Sequence, residues 1–221
     1  MKTRIAKHRN RAMTLMEAVL VVFMCALLML MIVPIYQPSH NRVKIYKIVC
    51  QNNLKQDGLS FKVWAGDNRD RYPMEVSVTN GGTLEWMDTP DAWKTFQVMS
   101  NELSTPKVLF CFADSARENY ATNFGENLRG KISYFVGCDL NATNGMSMLL
   151  SGDDNFETNG APVKSGRLAL STNTPPSWST ARHNRTGNIL LNDGSVQSAT
   201  ISQLRNYWQQ TGFATNRLAI P

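Results

Sequence analysis

The sequence predicts an α+β fold, in which a long N-terminal helix, half membrane segment and half stalk, packs on a small antiparallel sheet head. Three observations predict it. Residues 18–36, AVLVVFMCALLMLMIVPIY, run without a charge; residues 40–67 keep apolar side chains at helical intervals; and beyond residue 100 short β-branched and aromatic segments alternate with turn residues. The 221 residues suit one ordinary domain plus an appendage. With 43% hydrophobic and 18% charged residues, disorder along the whole length is excluded.

The leader, residues 1–12, holds Lys2, Arg4, Lys7, Arg9 and Arg11 and no acid. That is five of the six excess positive charges, so the remainder is nearly neutral. Nucleic-acid binding needs its basic excess on a folded face, where it neutralises phosphates, and no nucleic acid is expected as a partner. At 1.5 Å per residue the apolar run is about 28 Å long, enough to span a bilayer. A cleavable secretory signal fits poorly, because no Ala-x-Ala pattern follows the run. Basic residues flank both ends, so charge sets the orientation only weakly. Glu17 stands inside this helical stretch, where an ionised side chain costs roughly 2.5–3.5 kcal/mol at mid-membrane. The plain alternative is a solvated Glu17 at headgroup level.

From His40 to Asp67 the positions Val43, Tyr46, Cys50, Leu54, Phe61 and Trp64 or Ala65 share one helical face. This is the expected stalk, with Gly58 as a weak point inside it. Thr89-Pro90-Asp91 opens a helix towards Leu103, with a capping Thr and an early proline. Strands are expected at residues 107–112, 132–136, 147–150 and 167–171, and a hairpin turns at Asn192-Asp193-Gly194-Ser195. Thr200 and Gln203 form a capping-box pattern for a last helix that stops at Gly212. The expected organisation is a leader at 1–12, a transmembrane and assembly helix at 13–37, a stalk helix at 38–67 and a globular head at 68–221.

A basic leader, a small residue, then Met13-Thr14-Leu15-Met16-Glu17 and a long apolar helix resembles the N-terminal signal of type IV pilins and type II secretion pseudopilins. The family usually carries Gly where Ala12 stands and Phe where Met13 stands. The resemblance implies cleavage by a prepilin peptidase between Ala12 and Met13, methylation of the new N-terminus, and an assembly role for Glu17. Pro34 then falls where many members have a proline that kinks the helix, which removes a backbone donor and clashes with the preceding turn. The segment CQNNLKQDGLSFKVWAGDNRDRYP, residues 50–73, resembles the start of the head in a subset of these proteins. His183, nine residues and Asp193-Gly194 reproduce the H-X9-DG element found near the C-terminus of many proteins with this signal. Two readings of it stand open: a functional His and Asp, or a turn made by Asp-Gly with His183 bonded to the backbone of a facing strand.

Of the four cysteines, Cys25 lies in the apolar run. The related subset often has cysteines in the contexts of Cys50 and Cys111, so the resemblance implies a disulfide between them; three buried free thiols are the alternative. Asp153-Asp154-Asn155 and Asp67-x-x-Asp70 offer oxygen ligands, for which calcium is the candidate ion. Neither resembles an EF-hand, and solvated acidic loops are the plainer reading. With three histidines, one of them in the leader, no multi-His zinc centre is expected. Phosphate loops and nucleophile elbows are missing from the sequence, and no enzyme activity is expected.

The resemblance as a whole implies a structural subunit of a type II secretion pseudopilus or type IV pilus-like fibre. Its implied partners are copies of itself, the prepilin peptidase, an inner-membrane assembly platform and membrane lipid. The implied location is the bacterial inner membrane, single-pass, with a cytoplasmic N-terminus and a periplasmic head. The competing reading is a membrane-anchored periplasmic binding domain or enzyme that does not polymerise.

Overall fold

The computed structural model describes residues 14–32, 40–117, 119–140, 145 and 148–221. Two compact units result, Met1–Asn41 and Arg42–Pro221. In the first, α1 spans Leu15–Ile32. It starts in a reciprocal cap: the Thr14 hydroxyl accepts from the Glu17 amide at 3.3 Å, and the Glu17 carboxylate accepts from the Thr14 amide at 3.1 Å. Six consecutive side chains, from Val19 to Met24, are exposed. Five steps of about 100° exceed a full turn, so the helix presents apolar surface in every direction.

Among the described residues no helix is long and apolar enough to cross a membrane. This corrects the expected single-pass inner-membrane placement. Among the described residues, α1 after Glu17 runs over residues 18–32, about 22 Å of helix at 1.5 Å per residue, against a hydrocarbon core of about 30 Å. The leader, Ala12, Met13 and Pro34 lie outside the described residues.

In the second unit α2 spans His40–Asp67, and the expected apolar face is buried at Cys50, Leu54, Phe61, Trp64 and Ala65. The segments expected as stalk and head thus fall in one compact unit from Arg42 onward. A six-stranded antiparallel sheet runs in the order β5-β9-β1-β2-β7-β8, with β1 at Tyr134–Gly137, β2 at Leu149–Asp153, β5 at Gly166–Ser171, β7 at Thr186–Leu191, β8 at Val196–Thr200 and β9 at Thr215–Ile220. A second sheet, β4-β3-β6, pairs Ala161–Pro162, Phe156–Thr158 and Ser177–Trp178.

The central strands of the large sheet are buried on both faces. Tyr134, Val136, Leu150, Leu190 and Ala219 join the core that holds Leu54 and Phe61 of α2. Phe135, Leu149, Ile189, Leu218 and Ile220 join the opposite core with Trp178, Leu204 and Trp208. A bulge in β2 makes this division possible. Leu149 pairs with Leu191 and Ser151 with Leu190, so one extra residue on β2 resets the alternation, and Leu149 and Ser151, two positions apart, fall on opposite faces. Helix α5, Ile201–Gln210, packs Leu204 and Trp208 into the second core, and its capping box forms as expected, with Gln203 Oε1 accepting from the Thr200 amide at 2.9 Å. Gly212 follows at φ 78°.

The expected fold class, a long N-terminal helix on a small sheet head, is therefore corrected. The architecture is dominated by sheet, six strands plus three among the described residues, with α1 in the first unit and α2 from Arg42 onward in the second. The strand count was masked by segments too short for periodicity to register, such as Ala161–Pro162 and Ser177–Trp178, which exist only through their pairing with β3. Residues 107–112 are no strand: Pro106 at the first turn and the Thr105 cap make Pro106–Leu109 a 3-10 helix. The helix expected from Thr89 to Leu103 breaks into α3, Lys94–Val98, and α4, Ser100–Leu103.

Gly58 has a packing reason. A Cβ there would stand 2.8 Å from Leu190 Cδ1, so glycine sets the approach of α2 to β7. We predict that Gly58→Val destabilises the protein by about 1–3 kcal/mol in a denaturant melt through overpacking. Gly66→Ala in the same helix meets open space, and is expected to be neutral or stabilising by up to ~1 kcal/mol. A Gly58→Val protein as stable as wild type would show that this contact does not set the spacing.

Candidate functional site

Four chain segments bring chemistry-bearing side chains to one buried point. Cys50 comes from α2, Cys111 from just after the 3-10 helix, Asp153 from the end of β2, and His183 from the turn before β7. Cys50 Sγ and Cys111 Sγ lie 2.8 Å apart as free thiols. His183 Nε2 lies 3.3 Å from Cys111 Sγ and 3.8 Å from Asp153 Oδ2. The side chains of His183 and Asp153 are fully buried. Asp153 Oδ2 accepts from the Asn188 amide at 2.7 Å and from Asn188 Nδ2 at 3.1 Å, which fixes the carboxylate. Asp153 Oδ1 and His183 Nδ1 are buried without a hydrogen-bond partner.

A second group of charges adjoins the first. Arg182 Nη2 reaches Asp114 Oδ2 at 3.0 Å and also bonds Asp154 Oδ1, while its Nη1 donates to the Ser133 carbonyl at 2.9 Å. Arg117 grips the same two acids, at 2.6 Å to Asp114 Oδ2 and 2.6 Å to Asp154 Oδ2. Two guanidinium and two carboxylate groups balance, the arrangement that makes buried charge tolerable. Burial pushes the Asp114 carboxyl up, but Arg182 and Arg117 outweigh it and hold the group below the ordinary carboxylate range.

The two groups differ in the direction in which burial and charge leave their carboxyls, raised at Asp153 and lowered at Asp114. Burial raises the Asp153 pKa, with His183 and Arg182 offsetting only part of the effect. Burial lowers that of His183, yet the Cys111 contact and Asp153 carry it above the ordinary histidine value. The Cys111 thiol is pushed up by its bond to Cys50 and then by burial. Backbone strain sits at the same place: His183, Asn184 and Arg185 all have left-handed φ, at 48°, 51° and 59°. Left-handed residues without glycine cost roughly 1–2 kcal/mol each, and such strain clusters at functional sites. The Thr186 hydroxyl, donating to the His183 carbonyl at 2.7 Å, helps hold the turn.

The structure brings Cys50, Cys111 and His183 together and leaves Asp193 and Gly194 elsewhere. Asp193 accepts from the Ser195 amide at 2.8 Å in the β7–β8 turn, and Gly194 has φ 86°. Strand β7 separates that turn from His183, and its six residues span about 20 Å. The Asp-Gly half of the element is thus a turn, while His183 faces a thiol instead of a strand backbone. Asp153, Asp154 and Asn155, read as a solvated loop, are buried, whereas Asp67 and Asp70 are exposed. Sequence reasoning missed Arg182, Asp114 and Arg117; adjacency of Arg182 to His183 and of Asp154 to Asp153 was the available signal. Glu17 is exposed in the first turn of α1. Comparison with protein-family models, curated proteins and solved structures finds no match to this chain.

One more buried acid lies on α2. Burial pushes Asp57 up to about 7, with the Ser151 hydroxyl pulling slightly the other way. A folded-state pKa above the unfolded value means that the unfolded chain loses its proton first as pH rises. Asp57 therefore subtracts from stability progressively between about pH 4 and pH 7. We predict that Asp57→Asn and wild type have equal stability near pH 4, and that the variant gains up to about 4 kcal/mol by pH 7. Parallel stability curves in urea over that range would contradict it.

Proposed function

We propose that this chain is a prepilin-like structural subunit, cut between Ala12 and Met13 by a prepilin peptidase, methylated at Met13, and assembled with copies of itself into a fibre of the type II pseudopilus or type IV pilus kind. Its action is mechanical. The observation that carries the reading is Glu17 at the head of an α1 whose apolar side chains are exposed all round, with Leu15 at 86% and Met31 at 74%. An apolar surface of that kind calls for an apolar partner. The same helix of a neighbouring copy supplies one, and a buried Glu17 then needs a positive group beside it. The methylated amine of the neighbour's Met13 is that group in this proposal. In the single chain the Glu17 carboxylate rests on Thr14, whose amide and hydroxyl donate at 3.1 Å and 3.3 Å. These are exposed bonds that exchange readily for an ion pair.

The test is the N-terminal mass of the protein recovered from cells that contain their own peptidase. The expected result is a chain beginning at Met13 with one added methyl group, and loss of assembly in Glu17→Ala. A chain that retains residues 1–12 would contradict the proposal.

A further inference from the structure

Two thiols, an imidazole and a carboxylate meet in a dry interior, and their ligand atoms all lie within 4.8 Å of one another. The cluster is separate from α1 and from the assembly role proposed above. Its hydrogen bonds do not account for it: Asp153 Oδ1 and His183 Nδ1 are orphaned, and an orphaned buried polar atom costs about 1–3 kcal/mol. Arg182 compensates Asp153 only in part, since its two Nη groups bond Asp114, Asp154 and the Ser133 carbonyl. The cluster offers four donors from four chain segments.

We propose that Cys50, Cys111, Asp153 and His183 bind a zinc-type divalent ion in a closed, four-coordinate structural site. Two sulfurs, one nitrogen and one oxygen form a borderline-soft set that suits zinc and excludes calcium and magnesium, which take oxygen ligands. On binding, each thiol releases its proton to solvent and no electron is transferred. His183 Nε2, the nitrogen that faces Cys111 and Asp153, is the ligating atom. Bonds of about 2.3 Å in a tetrahedron hold two sulfurs roughly 3.8 Å apart, so the Cys50 and Cys111 sulfurs, at 2.8 Å, separate by about 1 Å on binding. Asn188 is the positioning residue, because its two bonds to Asp153 Oδ2 orient the carboxylate as outer-shell partners of metal sites do. The strained turn at residues 183–185 then has a purpose, since it delivers His183 to the thiols against the backbone's preference.

The experiment is titration of the reduced, full-length protein with Co2+ as the spectroscopic probe, followed by displacement with Zn2+ and elemental analysis. The expected result is one ion per chain, with a sulfur-to-cobalt charge-transfer band and the intense visible bands of tetrahedral Co2+. Cys111→Ser removes the sulfur band's full intensity, and Asn188→Ala weakens affinity about 10–100-fold while far-UV circular dichroism is unchanged. The wild-type spectrum decides the matter even where a variant misfolds. Reduced wild-type protein that shows no thiolate band overturns the proposal, as does a band of undiminished intensity in Cys111→Ser. So does protein that isolates with a Cys50–Cys111 disulfide and takes up no metal after reduction.

Discussion

The burial of Arg182 between Asp114 and Asp154 organises the second unit. Each of its partners stands next to a residue of the candidate site: Asp114 three residues after Cys111, Asp154 beside Asp153, and Arg182 itself beside His183. The ion pairs therefore clamp together the three segments that carry the cluster, and Cys50 arrives from α2 on the other side. Removing one partner of such a network leaves an uncompensated buried charge, typically a loss of 3–5 kcal/mol. Stability and site geometry are thus coupled through one guanidinium, with Arg117 completing the charge balance.

The H-X9-DG element gains a structural meaning from this arrangement. The turn at Asp193-Gly194 fixes where β7 ends, and the strand's six residues fix how far back His183 lies. Nine intervening residues measure out one strand and its approach, so the spacing places His183 at the cluster without any contact between His183 and Asp193. The β2 bulge works similarly on the facing strand. Ser151 and Asp153 pair with Val136 and Tyr134 on the α2 side, and Leu149 is freed to fill the other core.

What was legible in the sequence is what depends on local pattern. The α2 face at Cys50, Leu54, Phe61 and Trp64, the Asp193-Gly194 turn and the Thr200-Gln203 capping box all follow from spacing and turn chemistry. The short strands of the second sheet were illegible because two or three residues carry no period. The pairing of Arg182 with Asp114 and Asp154 was illegible for a different reason, since partners 68 and 28 residues apart meet only through the fold. Asp153 was named as an oxygen ligand but assigned to a solvated loop, because a run of three polar residues reads as surface unless its partners are known. The membrane reading treated residues 18–36 as one segment, whereas among the described residues no helix is long and apolar enough to cross a membrane.

The account rests on contact between the α1 helices of different copies. Photo-cross-linking tests it most directly, with a benzoyl-phenylalanine in place of Phe23, an exposed ring on α1, in the full chain within its own cells. The account predicts a ladder of covalent multiples of the chain that disappears in Glu17→Ala. Irradiation that leaves only the single chain, or joins it only to unrelated molecules, would contradict it.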